Sequence, residues 1–182
     1  MKYAKSIFLA FLIWTASVAA IGQCIPVTHA NDDLYALNGF WHTNIPMCQI
    51  QPGSNNAYAD RQRGVVLVDQ SWLDQMAYRY GNWAASGILA HEWGHMVQGP
   101  VSGTAAELQA DCLAGVFLKG VGRPWSDVNQ FATSNFFAGD LMVNFTGHGT
   151  GPQRVVAARR GYLGYVGQTG PALAALCPYS AF

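Results

Sequence analysis

The stretch His91-Glu92-Trp93-Gly94-His95, followed by a break at Gly99-Pro100 and then by Glu107-Leu108-Gln109-Ala110-Asp111, decides how this chain of 182 residues is read. On an α-helix, residues i and i+4 stand one above the other, so His91 and His95 bring two imidazoles to one point. That spacing suits the first two ligands of a zinc ion, with the glutamate between them as general base. The Gly-Pro pair stops the first helix, and a second is expected from Thr104. If the two fold back antiparallel, His95 and Glu107 lie about one turn either side of the break and meet at one level. Asp111, a turn further on, comes level with His91. Glu107 then closes a His-His-Glu site, while Asp111 accepts the second ring N–H of His91 and holds its tautomer. Asp111 is also the alternative third ligand.

Two observations bear on that reading. Glu92 and Glu107 are the only glutamates in the chain. The flanking Leu89, Ala90, Trp93, Gly94, Met96 and Val97 are all uncharged, which suits a buried metal-bearing helix. Thr104-x-x-Glu107 can also be read as a capping box, which would occupy Glu107 at the helix start. That alternative leaves Asp111 and the pairing with the upstream motif unexplained.

His91-Glu-x-x-His95 followed by Glu107-Leu-Gln-Ala-Asp111-Cys112-Leu-Ala-Gly resembles the bacterial neutral zinc metallopeptidase family. More distantly it is similar to the thermolysin-type gluzincins, whose second helix carries Glu-x-x-x-Asp. The segment Gly147-His148-Gly149-Thr150-Gly-Pro-Gln153-Arg154, with Gly161-Tyr162 after it, resembles the family's downstream block. The likeness covers residues 55–163. It departs at Met96, where the family pattern has another histidine, and in a short linker before Glu107. The metzincin pattern is excluded, because it needs Gly at 98 and His at 101, where this chain has Gln98 and Val101. The resemblance implies an α+β, zincin-like fold, mainly helical, with a small sheet edging the active-site cleft.

Composition agrees with one exported domain. The chain is long enough to bury a core without staples. Ten basic residues balance ten acidic ones, and without Lys2 and Lys5 the balance falls to about −2. No basic patch marks a nucleic-acid partner. Lys2 and Lys5 precede an apolar run, and Val18-Ala19-Ala20 supplies the small residues of a cleavage site, so residues 1–20 read as a signal peptide and 21–182 as a single zinc metallopeptidase domain. The run is short for a membrane span, and the membrane becomes a partner only if this segment is retained as an anchor. Cys24, Cys48, Cys112 and Cys177 form an even set, which in an exported chain suggests two disulfides with three possible connectivities. Cys24–Cys48 with Cys112–Cys177 is preferred, since it ties down each terminus.

Along the chain, residues 21–56 read as irregular structure pinned by Cys24 and Cys48, with His29 and His42 as ordinary loop histidines. Residues 64–69 form the one convincing strand. By resemblance to zinc peptidases, a strand of this kind edges the cleft, with Asn56-Ala57-Tyr58 contributing; the alternative is a plain core strand. Residues 71–80 read as a helix, Asn82 as the cap of a helix over 83–98, and Gly87 and Gly94 as points of close packing. On the second helix Leu108, Cys112 and Val116 form the core stripe. Gly120 to Pro124 ends it, Ser126 caps a helix to Ala138, and Phe131, Phe136 and Phe137 read as core. Thr150-x-x-Gln153 is a capping box opening a helix to Arg160. His148, flanked by glycines at the turn before it, can reach a cleft as an oxyanion-stabilising donor; the alternative is a structural histidine bonded to backbone. Arg154 either supports it or forms a salt bridge elsewhere.

The expected activity is that of a zinc-dependent endopeptidase, periplasmic or secreted, acting on a peptide or protein substrate. Zn2+ is held by His91, His95 and Glu107, with Glu92 as general base and His148 on the oxyanion. The rivals are a zinc amidohydrolase acting on cell-wall peptide, and a non-catalytic protein stapled by its zinc.

Overall fold

The computed structural model describes residues 24–142 and 147–182. The expected leader over residues 1–20, and a mature start near Ile21, lie outside the described residues. Among the described residues the fold has six α-helices and a small sheet: α1 (Asn31–Trp41), β1 (Met47–Gln49), β2 (Ala57–Asp60), β3 (Val65–Val68), α2 (Gln70–Tyr80), α3 (Asn82–Val97), α4 (Thr104–Gly120), α5 (Trp125–Ala138) and α6 (Gly151–Gly164). Short 3-10 turns at Pro171–Leu176 and Tyr179–Ala181 close the chain. The class is α+β and mainly helical. No helix among the described residues is long and apolar enough to cross a membrane.

The sheet has the order β1-β3-β2, with β1 parallel and β2 antiparallel to β3. The strand expected over 64–69 is therefore the central one and does not edge the cleft. All of Val65, Val66, Leu67 and Val68 are buried, which is why they read as an unbroken apolar run. The edge position falls to β2. Asp69 N–H donates to Asn56 O, which makes alternate residues 56, 58 and 60 face β3. The backbone groups of Ala57 and Ala59 consequently point the other way.

The N-terminal region is also more regular than expected. Residues 31–41 form α1, with Asp32 and Asp33 in its first turn and Leu37, Phe40 and Trp41 buried. Leu34, Leu37 and Trp41 stand at helical spacing, a signal hidden among the surrounding Pro, Asn and Gly residues. His29 meets Asp74, and His42 meets Thr169, each at 3.0 Å, both outside the cleft.

The helix ends refine three expectations. Asn82 is the first residue of α3 and does not cap it; the side-chain Oε1 of Gln130 accepts from Trp83 N–H instead. Ser126 lies inside α5, which opens after Pro124. Thr150 and Gln153 do form the reciprocal capping box, and α6 runs one turn past Arg160. Phe131 is fully buried, but Phe136 and Phe137 are exposed at the end of α5.

The helices pack with backbones nearly touching. A Cβ added at Gly94 would lie 3.0 Å from Ala110 Cα, so α3 and α4 approach closely beside His95 and Glu107. At the α4–α6 crossing, a Cβ on Gly161 would lie 1.8 Å from the Cys112 carbonyl oxygen, and one on Gly115 would lie 2.0 Å from that of Ala158. Backbone cannot yield as a side chain can, so Gly161→Ala should cost at least the ~1–3 kcal/mol typical of overpacking. Urea unfolding measures it, and an unchanged midpoint would contradict this crossing.

Both disulfides form in the preferred pairing, Cys24–Cys48 and Cys112–Cys177, and no cysteine is free. The second joins the C-terminal turns to α4, where Gln109 Nε2 also donates to Cys177 O at 2.7 Å. Two disulfides point to an oxidising, extracellular-type environment.

Candidate metal centre

The antiparallel pairing of α3 with α4 brings the sequence-predicted ligands together. His91 Nε2 and His95 Nε2 are 3.0 Å apart, with ring planes at 89°. Glu107 Oε2 lies 3.4 Å from His91 Nε2, and Glu107 Oε1 lies 3.4 Å from His95 Nε2. A tetrahedral ion with bonds of about 2.1 Å holds its donors about 3.4 Å apart, and one ligand atom from each of the three residues lies within 4.8 Å of the others. The three residues can hold one metal ion. Glu107 faces the histidines from the first turn of α4 and no capping box engages it. Burial alone would push its carboxyl up, but hydrogen bonds from His91 and His95 hold it well below the usual carboxylate range.

Asp111 does not face this triangle. It sits behind His91 at zero exposure, and His91 Nδ1–H donates to its Oδ1 at 2.8 Å. Arg154 Nε and Nη2 donate to the two carboxylate oxygens at 2.8 and 2.9 Å, and Asn135 Nδ2 donates to Oδ1 at 2.6 Å. One carboxylate thus fastens α3, α5 and α6 to α4. Burial works against its charge, yet Arg154 and His91 keep its carboxyl below the ordinary range. Burial likewise opposes a charged His91, and the carboxylates of Asp111, Glu107 and Glu92 outweigh it and raise the imidazole. On His95 burial prevails and lowers it. Asp111 and Glu107, held ionised, thus favour a positive charge at His91 beside that of Arg154.

Glu92 points into the same cleft and belongs to a different group. It is 8 % exposed and outside the ligand triangle. Burial pushes its carboxyl up to about 7, against the pull of the His91 charge, and the Ala59 N–H hydrogen bond also lowers it. Ala59 belongs to β2, so the edge strand lies beside the carboxylate that faces the candidate ligands.

The cleft encloses about 500 Å³, within the range of small-ligand and peptide sites. Ala57, Tyr58 and Ala59 of β2 form one wall, and Trp72, Met76 and Ile88 make another wall apolar. Arg61, just past β2, donates to Gly99 O and, at 2.9 Å, to Val101 O, tying the edge strand to the α3–α4 connection. His148 is exposed and lines the cleft. Its turn is held from both sides: Thr104 Oγ1 donates to Gly147 O at 2.9 Å, and Asp140 N–H donates to Gly149 O at 2.8 Å.

Of the residues singled out in the sequence, His91, Glu92, His95, Glu107 and His148 line the cleft, and Asp111 sits behind His91. Sequence reasoning missed Ala59, Asn135 and Arg61, and left the partner of Arg154 open. Asn135 and Arg154 stand 24 and 43 residues from Asp111, with no motif linking them.

No family model, curated protein or solved structure matches this chain. The chemistry of the centre rests on its own geometry. That geometry predicts about one metal ion per chain, lost in His91→Ala and in His95→Ala. Elemental analysis of the purified protein checks it, and full metal retention in both variants would refute the centre.

Proposed function

We propose that this chain is a zinc-dependent endopeptidase of the gluzincin type, related to the neutral zinc metallopeptidases and exported from the cell. The observation that carries the reading is Glu92: a buried carboxyl beside a His-His-Glu triangle, outside that triangle, with its affinity for a proton raised toward neutrality. A structural metal site has no use for such a group, whereas a hydrolase needs a base there. Zinc bound by His91, His95 and Glu107 would supply Lewis acidity to a substrate carbonyl and to water.

The remaining chemistry belongs to the chain's own residues. Glu92 takes a proton from water as the oxygen adds to the peptide carbonyl carbon. The same carboxyl then passes that proton to the amide nitrogen, and the C–N bond breaks to leave a carboxylate and an amine. His148, which lines the same cleft, donates to the carbonyl oxygen as charge builds there. The outward backbone groups of β2 offer an extended peptide a strand to pair with. Trp72, Met76 and Ile88 provide an apolar wall for one of its side chains.

Incubation of the purified protein with an unfolded protein substrate tests the proposal. Cleavage should stop with a chelator and return with zinc. Metal-loaded protein that cleaves no peptide would refute the endopeptidase reading while leaving the metal centre in place.

A further inference from the structure

Gln98 has no role in the account so far. It follows α3 as its C-cap residue and is half-buried, and its amide Nε2 lies 2.9 Å from His95 Nδ1. Its Oε1 is buried without a hydrogen-bond partner among the described residues. The amide therefore makes a single bond, and no second one holds it in that orientation.

A cation bound by His91 and His95 takes the Nε2 lone pair of each ring, so each imidazole keeps its proton on Nδ1. For His91 that proton meets the Asp111 carboxylate. For His95 it meets Gln98, and an amide nitrogen cannot accept it. We propose that Gln98 is the positioning residue for His95 and that its terminal amide turns over with metal binding. In the orientation seen here Nε2–H faces Nδ1; in the loaded protein Oε1 accepts from Nδ1–H. Oxygen and amino group are nearly the same size, so the half-turn needs no extra room. The two ligands then differ: a carboxylate backs His91 and a neutral amide backs His95, which makes His91 the stronger electron donor.

This role rests on the metal centre and not on hydrolysis, so the experiment measures no turnover. Zinc affinity of the full chain is read by competition with a chromophoric chelator, and folding by the melting temperature of the metal-free protein. Gln98→Met keeps the shape and removes the acceptor, and should weaken zinc by about 10–100-fold. Gln98→Glu, which only accepts at neutral pH, should bind zinc at least as tightly as the wild type. In the zinc-loaded wild type, ¹⁵N NMR of labelled histidine should find the His95 proton on Nδ1. A merely structural glutamine would lower the metal-free melting temperature in both variants and would not be rescued by Glu. Tight binding by Gln98→Met, or no gain from Met to Glu, overturns the proposal. Should the Met variant not fold, weaker binding by Gln98→Glu or a proton on Nε2 of His95 overturns it alone. A wild type without zinc affinity overturns the centre and this role together.

Discussion

Glu92→Gln should keep its zinc and its fold and lose nearly all hydrolysis. The substitution preserves size and removes the one carboxyl that, among the described residues, lines the cleft without belonging to the candidate ligand group or binding Arg154. Glutamine can still accept the Ala59 N–H, so the contact between α3 and β2 survives. What disappears is the ability to take a proton from water and return it to the leaving nitrogen. General-base catalysis supplies about 10²–10⁴-fold, and the residual rate should fall by that factor. Metal content and a melting curve, measured beside turnover, separate this from unfolding. Chelator-sensitive activity that survives the substitution would remove Glu92 from the mechanism and leave the metal centre intact. A zinc-loaded wild type inactive on every peptide and amide would make the metal a staple between α3 and α4.

Asp111→Asn and Glu107→Gln should fail in opposite ways. Asp111 is wholly buried against Arg154, itself 5 % exposed, and the pair lies where four helices meet. Neutralising the carboxylate leaves a buried guanidinium uncompensated, which typically costs about 3–5 kcal/mol. Against a total stability of roughly 5–15 kcal/mol that is a large share, so the urea midpoint of metal-free Asp111→Asn should drop steeply. Adding Arg154→Met should recover much of the loss, because it removes the stranded charge. Glu107 lies at the cleft with its side chain 23 % exposed, so Glu107→Gln should lower the metal-free midpoint much less than Asp111→Asn while zinc binding falls. If Asp111→Asn is stable and Glu107→Gln unfolds, the two carboxylates have been given each other's work.

The histidine pair, the break and the two carboxylates of α4 were legible because helix geometry is local. Once 91–97 and 104–111 are helical and joined by a short turn, His95 must come near Glu107 and His91 near Asp111. Leu108, Cys112 and Val116 showed the buried face for the same reason, and their exposure of 4 %, 0 % and 0 % follows. The assignment of Gly64 to Asp69 as cleft edge failed on a point that composition could have decided: a run apolar on both faces belongs inside a sheet. Its neighbour β2, reading Ala-Tyr-Ala-Asp, carries little pattern of its own. Phe136 and Phe137 read as core from hydropathy, but at the end of α5 the described residues cover their rings only in part, Tyr80 stacking on Phe137.

By itself, then, the sequence determined the candidate ligand set, the two helices that carry it, the candidate base and the even set of cysteines, since each follows from spacing within one or two regular elements or from a count. Only the tertiary structure decided which strand lines the cleft, that Ala59 stands beside Glu92, that Arg154 and Asn135 secure Asp111, and that Gln98 stands behind His95. The first three depend on strand register and on how closely α4 and α6 cross at Gly115 and Gly161, long-range packing that no local periodicity encodes. The last depends on the side chain of Gln98 turning back at the end of α3 toward a ring one turn earlier, which spacing permits and only packing selects.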